Sequence, residues 1–119
     1  MSDPELFTKG LEHFNRGEFF EAHEVWEELW HTAQGAYHPF IQGLIQTAVA
    51  MHHAGNENWR GTRKLMAGAL NYLKKGVSAS HTIDVDALQD AILDFEIALQ
   101  KKLQGEKIEL PFFQMPLKK

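Results

Sequence analysis

The chain is predicted to fold as an all-α, single-domain helical bundle of about five helices, arranged as two helical hairpins followed by a C-terminal helix and an extended tail. Three observations carry this. Apolar residues recur at intervals of three and four along most of the sequence, no stretch shows the alternation of β-branched residues that strands require, and Pro39 to Asn56 contains no Lys, Arg, Asp or Glu. The chain has 119 residues, one domain's worth, enough to bury roughly two-thirds of the surface its unfolded form exposes.

The first helix should begin after Ser2 or Asp3, with Pro4 in its first turn, where a missing N–H costs nothing. It turns Leu6, Phe7, Leu11 and Phe14 toward a core and stops near Gly17. A second helix is expected from about Phe19 to Thr32. The loop "QGAYHP" follows, and Pro39 suits the first turn of a third helix that ends at Gly55, with Asn56 as cap for a fourth. That helix is broken by Gly76 and "SASHT". Asp84 then caps a fifth helix, about 84–104, with Leu88, Ile92, Phe95, Leu99 and Leu103 on one stripe. Residues 105–119 form an apolar tail interrupted by Pro111 and Pro116, expected to pack on the bundle or on a second copy of the chain.

The third helix is read as the central one, because a charge-free run offers no face suited to water. Ile41, Leu44, Ile45, Ala48 and Val49 form its apolar side, and Gly43, Thr47, Ala50 and Ala54 form a small-residue stripe that lets a neighbouring helix approach. There is also an internal echo. "NRGEFFEAHEVWEEL" and "HAGNENWRGTRKLMAGAL" each place a glycine turn and an aromatic before a long helix, 38 residues apart. Gly17 at the turn, Phe19 as the aromatic and Ala22 as the small packing residue resemble half of a tetratricopeptide unit, whereas the second copy is out of phase at Gly61. Both hairpins are therefore expected to be tetratricopeptide-like.

Composition removes several functions. Without cysteine there is no disulfide framework, zinc-thiolate site or thiol nucleophile, and any metal needs His and carboxylate ligands. Sixteen acidic residues against twelve basic ones, with no long run of either sign, argue against nucleic acid as a partner. The start "MSDPELFTKG" does not read as a signal peptide, and Gln42, Gln46, His52 and His53 make the third helix too polar for a membrane span. A cytoplasmic location is expected.

Polar chemistry concentrates in "NRGEFFEAHEVWEELWHT". With Ala22, Trp26, Leu29 and Ala33 marking the buried direction, Glu21, Glu24 and Glu28 point toward solvent, while His23 and Glu27 fall at the apolar border beside Trp30. Four residues apart, their side chains can meet. On the third helix Gln42, Gln46 and His53 share a stripe, and buried amides need partners from another helix. His23, Glu27, Trp30, Gln42, Gln46 and His53 are therefore the candidate ligand-binding residues, with His23 and Glu27 expected to turn inward and meet Gln46 and His53. His23, Glu27 and His53 are also the weak candidates for metal ligands. Asn56, Arg60 and Arg63, near a helix start, form a weaker candidate anion site. His31, His38 and His81 read as loop or surface residues, His52 as a core histidine, and Trp59 and Met66 as core.

"FNRGEFFEAHEVWEELW" followed by "IQGLIQTAVAMHHAGNENWRGTRKL" resembles the domain-of-unknown-function 309 family of small helical proteins, over a core signature of residues 14–73. Glu21, His23, Glu24, Glu27, Trp30, Gln42, Gly43, Gln46, Gly55, Asn56 and Gly61 carry the resemblance. It implies an all-helical fold and supplies no activity.

The catalytic motifs are incomplete. "HEVWE" has Glu27 where the helix-borne zinc motif needs its second histidine, and Glu28 with His31 gives one half of a di-iron pattern with no second copy. The favoured reading is an interaction or scaffold module with a buried polar cluster between the second and third helices. The alternative is a small-molecule or metal-binding protein, or a hydrolase-like enzyme, using His23, Glu27 and His53. No cofactor is predicted, a divalent metal being the minor alternative. The partner is a protein or a small molecule, and homo-oligomers through the C-terminal tail are the other expectation.

Overall fold

A computed structural model of the chain describes residues 1–80 and 82–119; His81 lies outside them. Among the described residues there are five α-helices: α1 (Asp3–Asn15), α2 (Phe19–Trp30), α3 (Tyr37–Gly55), α4 (Trp59–Lys75) and α5 (Val85–Leu103), with a single 3-10 turn at Val77–Ala79 between the last two. None is long and apolar enough to cross a membrane. α1 pairs with α2, α3 pairs with α4, and α2 packs on α3, so the two hairpins stack side by side.

The helix starts follow side-chain chemistry. The Ser2 hydroxyl accepts the Glu5 N–H at 3.3 Å, Pro4 sits in the first turn of α1, and the Asp84 carboxylate accepts the Ala87 N–H at 3.0 Å. One cap differs from expectation. Asn56 closes α3, and Asn58 opens α4 by accepting the Gly61 N–H at 3.1 Å.

Both hairpins are closed by the same turn. At the end of α1 the Gly17 N–H donates to the Phe14 carbonyl and the Glu18 N–H reaches back to the His13 carbonyl, both at 2.9 Å. At the end of α3 the Glu57 N–H donates to the Ala54 carbonyl at 3.1 Å and the Asn58 N–H to the His53 carbonyl at 2.8 Å. These are paired Schellman bonds, which satisfy carbonyls that a helix end leaves open. The spacing of the echo is therefore forty residues, not 38: Gly17 corresponds to Glu57, and Phe19 to Trp59. Gly55, the apparent counterpart in the sequence, is the last residue of α3 and does not supply the left-handed position.

Glu57 pays for that role, with φ of 57° where Gly17 has 78°. A side chain at positive φ is opposed by its own Cβ, at about 1–2 kcal/mol. Glu57→Gly should raise stability by about 0.5–1 kcal/mol, net of the extra freedom glycine gives the unfolded chain. Gly17→Ala should lower it by a similar amount, because nothing stands near its Cβ position and only the backbone resists. Urea titration of both variants checks the pair.

α3 is the central helix. Phe40, Ile41, Leu44, Ala48, Ala50 and Met51 are fully buried, and Gly43 brings α3 close enough to α4 that a Cβ there would meet Leu73. In the first hairpin the close approach falls at Gly10, which is covered by the fully buried indole of Trp26, whose N–H donates to the Phe7 carbonyl at 3.2 Å. Leu88, Ile92, Phe95 and Leu99 of α5 are buried as expected, whereas Leu103, the last residue of the helix, is 47% exposed. The tail folds back on its own chain. Met115 is buried, Phe113 packs on Phe14, Leu117 bridges to Ile83, and the Met115 N–H donates to the Asn15 side chain at 2.8 Å.

Candidate functional site

A cleft of about 460 Å³ opens where α2 and α4 flank α3, and its walls are His23, Glu27 and Trp30 of α2, Gln42, Ile45, Gln46 and Val49 of α3, and Leu65 and Tyr72 of α4. Five of the six ligand-binding candidates thus line one cleft. The helical repeat explains the grouping. Residues 23, 27 and 30 stand at successive turns of α2, and 42, 45, 46 and 49 form a single face of α3 at spacings of three and four.

His23 and Glu27 meet across one turn, the imidazole Nε2 standing 3.0 Å from a Glu27 carboxylate oxygen. Among the described residues the His23 Nδ1 is buried without a hydrogen-bond partner, and so is the Trp30 indole N–H. Neither group is turned fully inward. The His23 side chain is 22% exposed and the Glu27 side chain 53%, so Glu27 is on the rim of the cleft, not inside it as the wheel suggested. Gln42 and Gln46 are half-buried. The Gln46 amide lies over Gly68 of α4, in space that a side chain at 68 would fill. The polar cluster is therefore a half-open groove, and no hydrogen bond joins His23 to Gln46 among the described residues.

His53 belongs elsewhere. Its Nδ1 accepts from the Asn58 side-chain amide at 3.2 Å, and its ring packs against the α4 backbone at Gly61. His13 occupies the same place in the first hairpin, donating through Nδ1 to the Glu18 carboxylate at 3.0 Å. Each of these histidines ties the last turn of one helix to the cap of the next, forty residues apart. Among the described residues no group of three or more His, Asp or Glu side chains gathers within reach of one metal ion. The anion candidates are also dispersed: the Asn56 amide donates to His52 Nε2 at 3.3 Å, while Arg60 and Arg63 are exposed along α4.

Of the remaining predicted surface groups, Glu21, Glu24, Glu28 and His31 are exposed. His38 is not a loop residue. It lies in the first turn of α3, half-buried, with its ring 4.4 Å from that of Trp30. His52 is half-buried beside the exposed Phe20 ring, Met66 is core, and Trp59 packs at the core's edge. The cleft residues that the sequence reading omitted are Ile45, Val49, Leu65 and Tyr72. The first two could have been found, since they share the Gln42 and Gln46 face, but the two from α4 depend on a packing angle that periodicity does not give.

Comparison with known proteins places the chain. Residues 7–65 match the family model described as Domain of unknown function (DUF309), from the middle of α1 into α4. The chain belongs to the DUF309 family. The match takes in every cleft residue except Tyr72 and ends at Leu65, so in this DUF309 chain α5 and the tail lie beyond the matched segment. A curated relative is the "Uncharacterized protein YpuF" of Bacillus subtilis (strain 168), 31% identical over 70 residues. Those residues are 58% of this chain and 40% of YpuF, so the DUF309 chain spans well under two-thirds of its relative's length.

Proposed function

We propose that this DUF309 chain is a binding module, not a catalyst, and that the α2–α3–α4 cleft takes a peptide segment through a basic or amide side chain. The observation that carries the reading is the composition of the cleft wall. It holds one carboxylate, Glu27, two side-chain amides, Gln42 and Gln46, no Lys or Arg, and an apolar floor and sides from Ile45, Val49, Leu65, Trp30 and Tyr72. A lysine or arginine stem lies well on such a surface while its head reaches a half-exposed carboxylate. The aromatic rings favour the same charge.

The His23–Glu27 pair supports binding over acid–base chemistry. A carboxylate-oriented imidazole works on a substrate through its second nitrogen, and here that nitrogen is buried. The pair instead fixes the Glu27 carboxylate at the rim, ready to accept from a ligand with its free oxygen. The alternative, a small-molecule or metal site with hydrolase-like chemistry, rests on the same two residues together with His53.

Titration with pools of short Lys- and Arg-containing peptides, against acidic pools of equal length, tests the proposal by calorimetry. Basic peptides should bind, Glu27→Gln should weaken them by about tenfold, the size expected for a charge-assisted hydrogen bond, and Glu28→Gln on the solvent face should not. No difference between basic and acidic pools would reject it. A zinc-dependent rise in melting temperature that His23→Ala abolishes would favour the alternative.

A further inference from the structure

The α2–α3–α4 cleft holds one acid and one base, and they touch. Among the described residues its walls carry a single carboxylate, Glu27, and a single imidazole, His23, whose Nε2 stands 3.0 Å from a Glu27 carboxylate oxygen. The other walls stay uncharged near neutral pH. Gln42 and Gln46 of α3 are amides, Leu65 of α4 is apolar, and Tyr72 brings a phenol, a group that keeps its proton there.

The charged groups around this pair stand off from it. On α2, Glu24 is exposed and His31 packs on the Trp30 ring, two turns from His23. On α3, His38 also packs on Trp30, His53 is tied to the Asn58 amide, and His52 meets the Phe20 ring, which lies 5.4 Å from the rings of both His52 and His23. On α4, Arg60, Arg63 and Lys64 are exposed and line no part of the cleft. α1 lies on the Trp26 side of α2 and brings no residue to the wall.

An imidazole takes up its second proton between about pH 8 and pH 5. A charged His23 is then the cation nearest Glu27, and a lysine or arginine head entering the cleft needs the same carboxylate. The two cations exclude each other. Only Glu27 favours charge on the ring, because Nδ1 is buried with no acceptor among the described residues and a proton there goes unpaired. Once a ligand's cation holds Glu27, that unpaired N–H alone remains, and the ring stays neutral.

We infer that protonation of His23 closes the cleft to basic side chains and that their entry drives the proton off, so the His23–Glu27 pair sets the pH range over which the cleft binds. The inference rests on the reading of the cleft as a site for such side chains. With His23 neutral, the carboxylate offers its full charge to the ligand; with His23 charged, the pair is neutral as a whole. The ligand-bound form therefore carries fewer protons than the free form, and affinity falls as pH falls. The coupling is reciprocal, so binding at intermediate pH releases protons.

Calorimetry of the full chain with a Lys- and Arg-containing peptide, its ends blocked, tests this, with circular dichroism as the check on folding at each pH. Affinity should drop by about tenfold between about pH 8 and about pH 5.5, the loss expected when Glu27 is neutralised, in a window where carboxylates themselves stay ionised. His23→Gln, which keeps a neutral side chain beside Glu27, should bind equally at both ends of the window, and His52→Gln should keep the parent's profile. At about pH 6.5 the parent's binding heat should change between buffers of different ionisation enthalpy in the sense of proton release, a readout that stands even if His23→Gln fails to fold. Equal affinity across the window, a drop that His23→Gln retains, or binding without proton release would each overturn the inference while leaving the cleft as a peptide site. Failure of every basic peptide to bind at any pH would instead remove the reading of the cleft, and this inference with it.

Discussion

Gly10→Ala should be among the most damaging single substitutions in the chain, lowering stability by about 3 kcal/mol and the melting temperature by on the order of 10 °C. A Cβ at position 10 would lie 2.0 Å from Trp26 Nε1 and 2.4 Å from Cδ1, an overlap no rotamer of alanine can avoid. Trp26 cannot retreat cheaply. It is fully buried against Phe14, and its indole N–H is held by the Phe7 carbonyl. Either α1 and α2 separate, at the roughly 1–3 kcal/mol typical of overpacking, or the ring turns and leaves a buried N–H unpaired at about 1–3 kcal/mol more. Gly55→Ala is the matched control. It lies in a helix with nothing within 4 Å of its Cβ position, so the same chemical change should be neutral or stabilising by about 0.5–1 kcal/mol. Thermal unfolding that ranks the two variants equally would contradict the packing described for the first hairpin.

Removing residues 106–119 should cost on the order of 4 kcal/mol. The tail supplies Met115 to the core and lays Phe113 on Phe14 and Phe112 edge-on to Phe95, with ring centroids 5.9 and 5.2 Å apart. Loss of one buried methionine side chain alone is worth about 2–5 kcal/mol. Three hydrogen bonds from backbone N–H groups go with it: Met115 N–H to the Asn15 side-chain Oδ1 at 2.8 Å, Lys118 N–H to the Thr82 carbonyl at 2.8 Å, and the Asp84 N–H to the Pro116 carbonyl at 2.9 Å. The last of these lies at the start of α5, so the truncated chain should fray there first, visible as fast hydrogen exchange at residues 84–88. An unchanged urea midpoint would show that the tail is not part of the core.

The parts of this fold that were legible in the sequence are those decided within one helix. The charge-free run of α3 predicts its central place, Asp84 and Pro4 mark helix starts, and the His23–Glu27 contact follows from a four-residue spacing. What depends on a second element was not legible. Gly10 gives no local sign of its role, because the reason for it is an indole sixteen residues on. Glu57 was missed because Gly55, two residues earlier, is the residue type that a left-handed turn favours, and the chain instead accepts strain at a glutamate. Glu27 was placed too far inward because a wheel fixes direction only to within the roughly 100° between neighbours, and a carboxylate at that border turns to water. His53 shares its stripe with Gln42 and Gln46, but it stands at the very end of α3, where the turn's own amide captures it before the cleft can.

The most direct test of the binding cleft is where a bound peptide leaves its mark. Nuclear magnetic resonance of the full chain, with the methyls of Ile45, Val49 and Leu65 and the side-chain amides of Gln42 and Gln46 as reporters, can be followed while a Lys- and Arg-containing peptide is added. The α2–α3–α4 cleft as binding surface predicts saturating shifts at those groups and at the Trp30 indole N–H, with Leu93, Ile97 and the His53–Asn58 turn unmoved. Saturating shifts confined to the α4–α5 face or to the turns, with the cleft methyls unchanged, would contradict it.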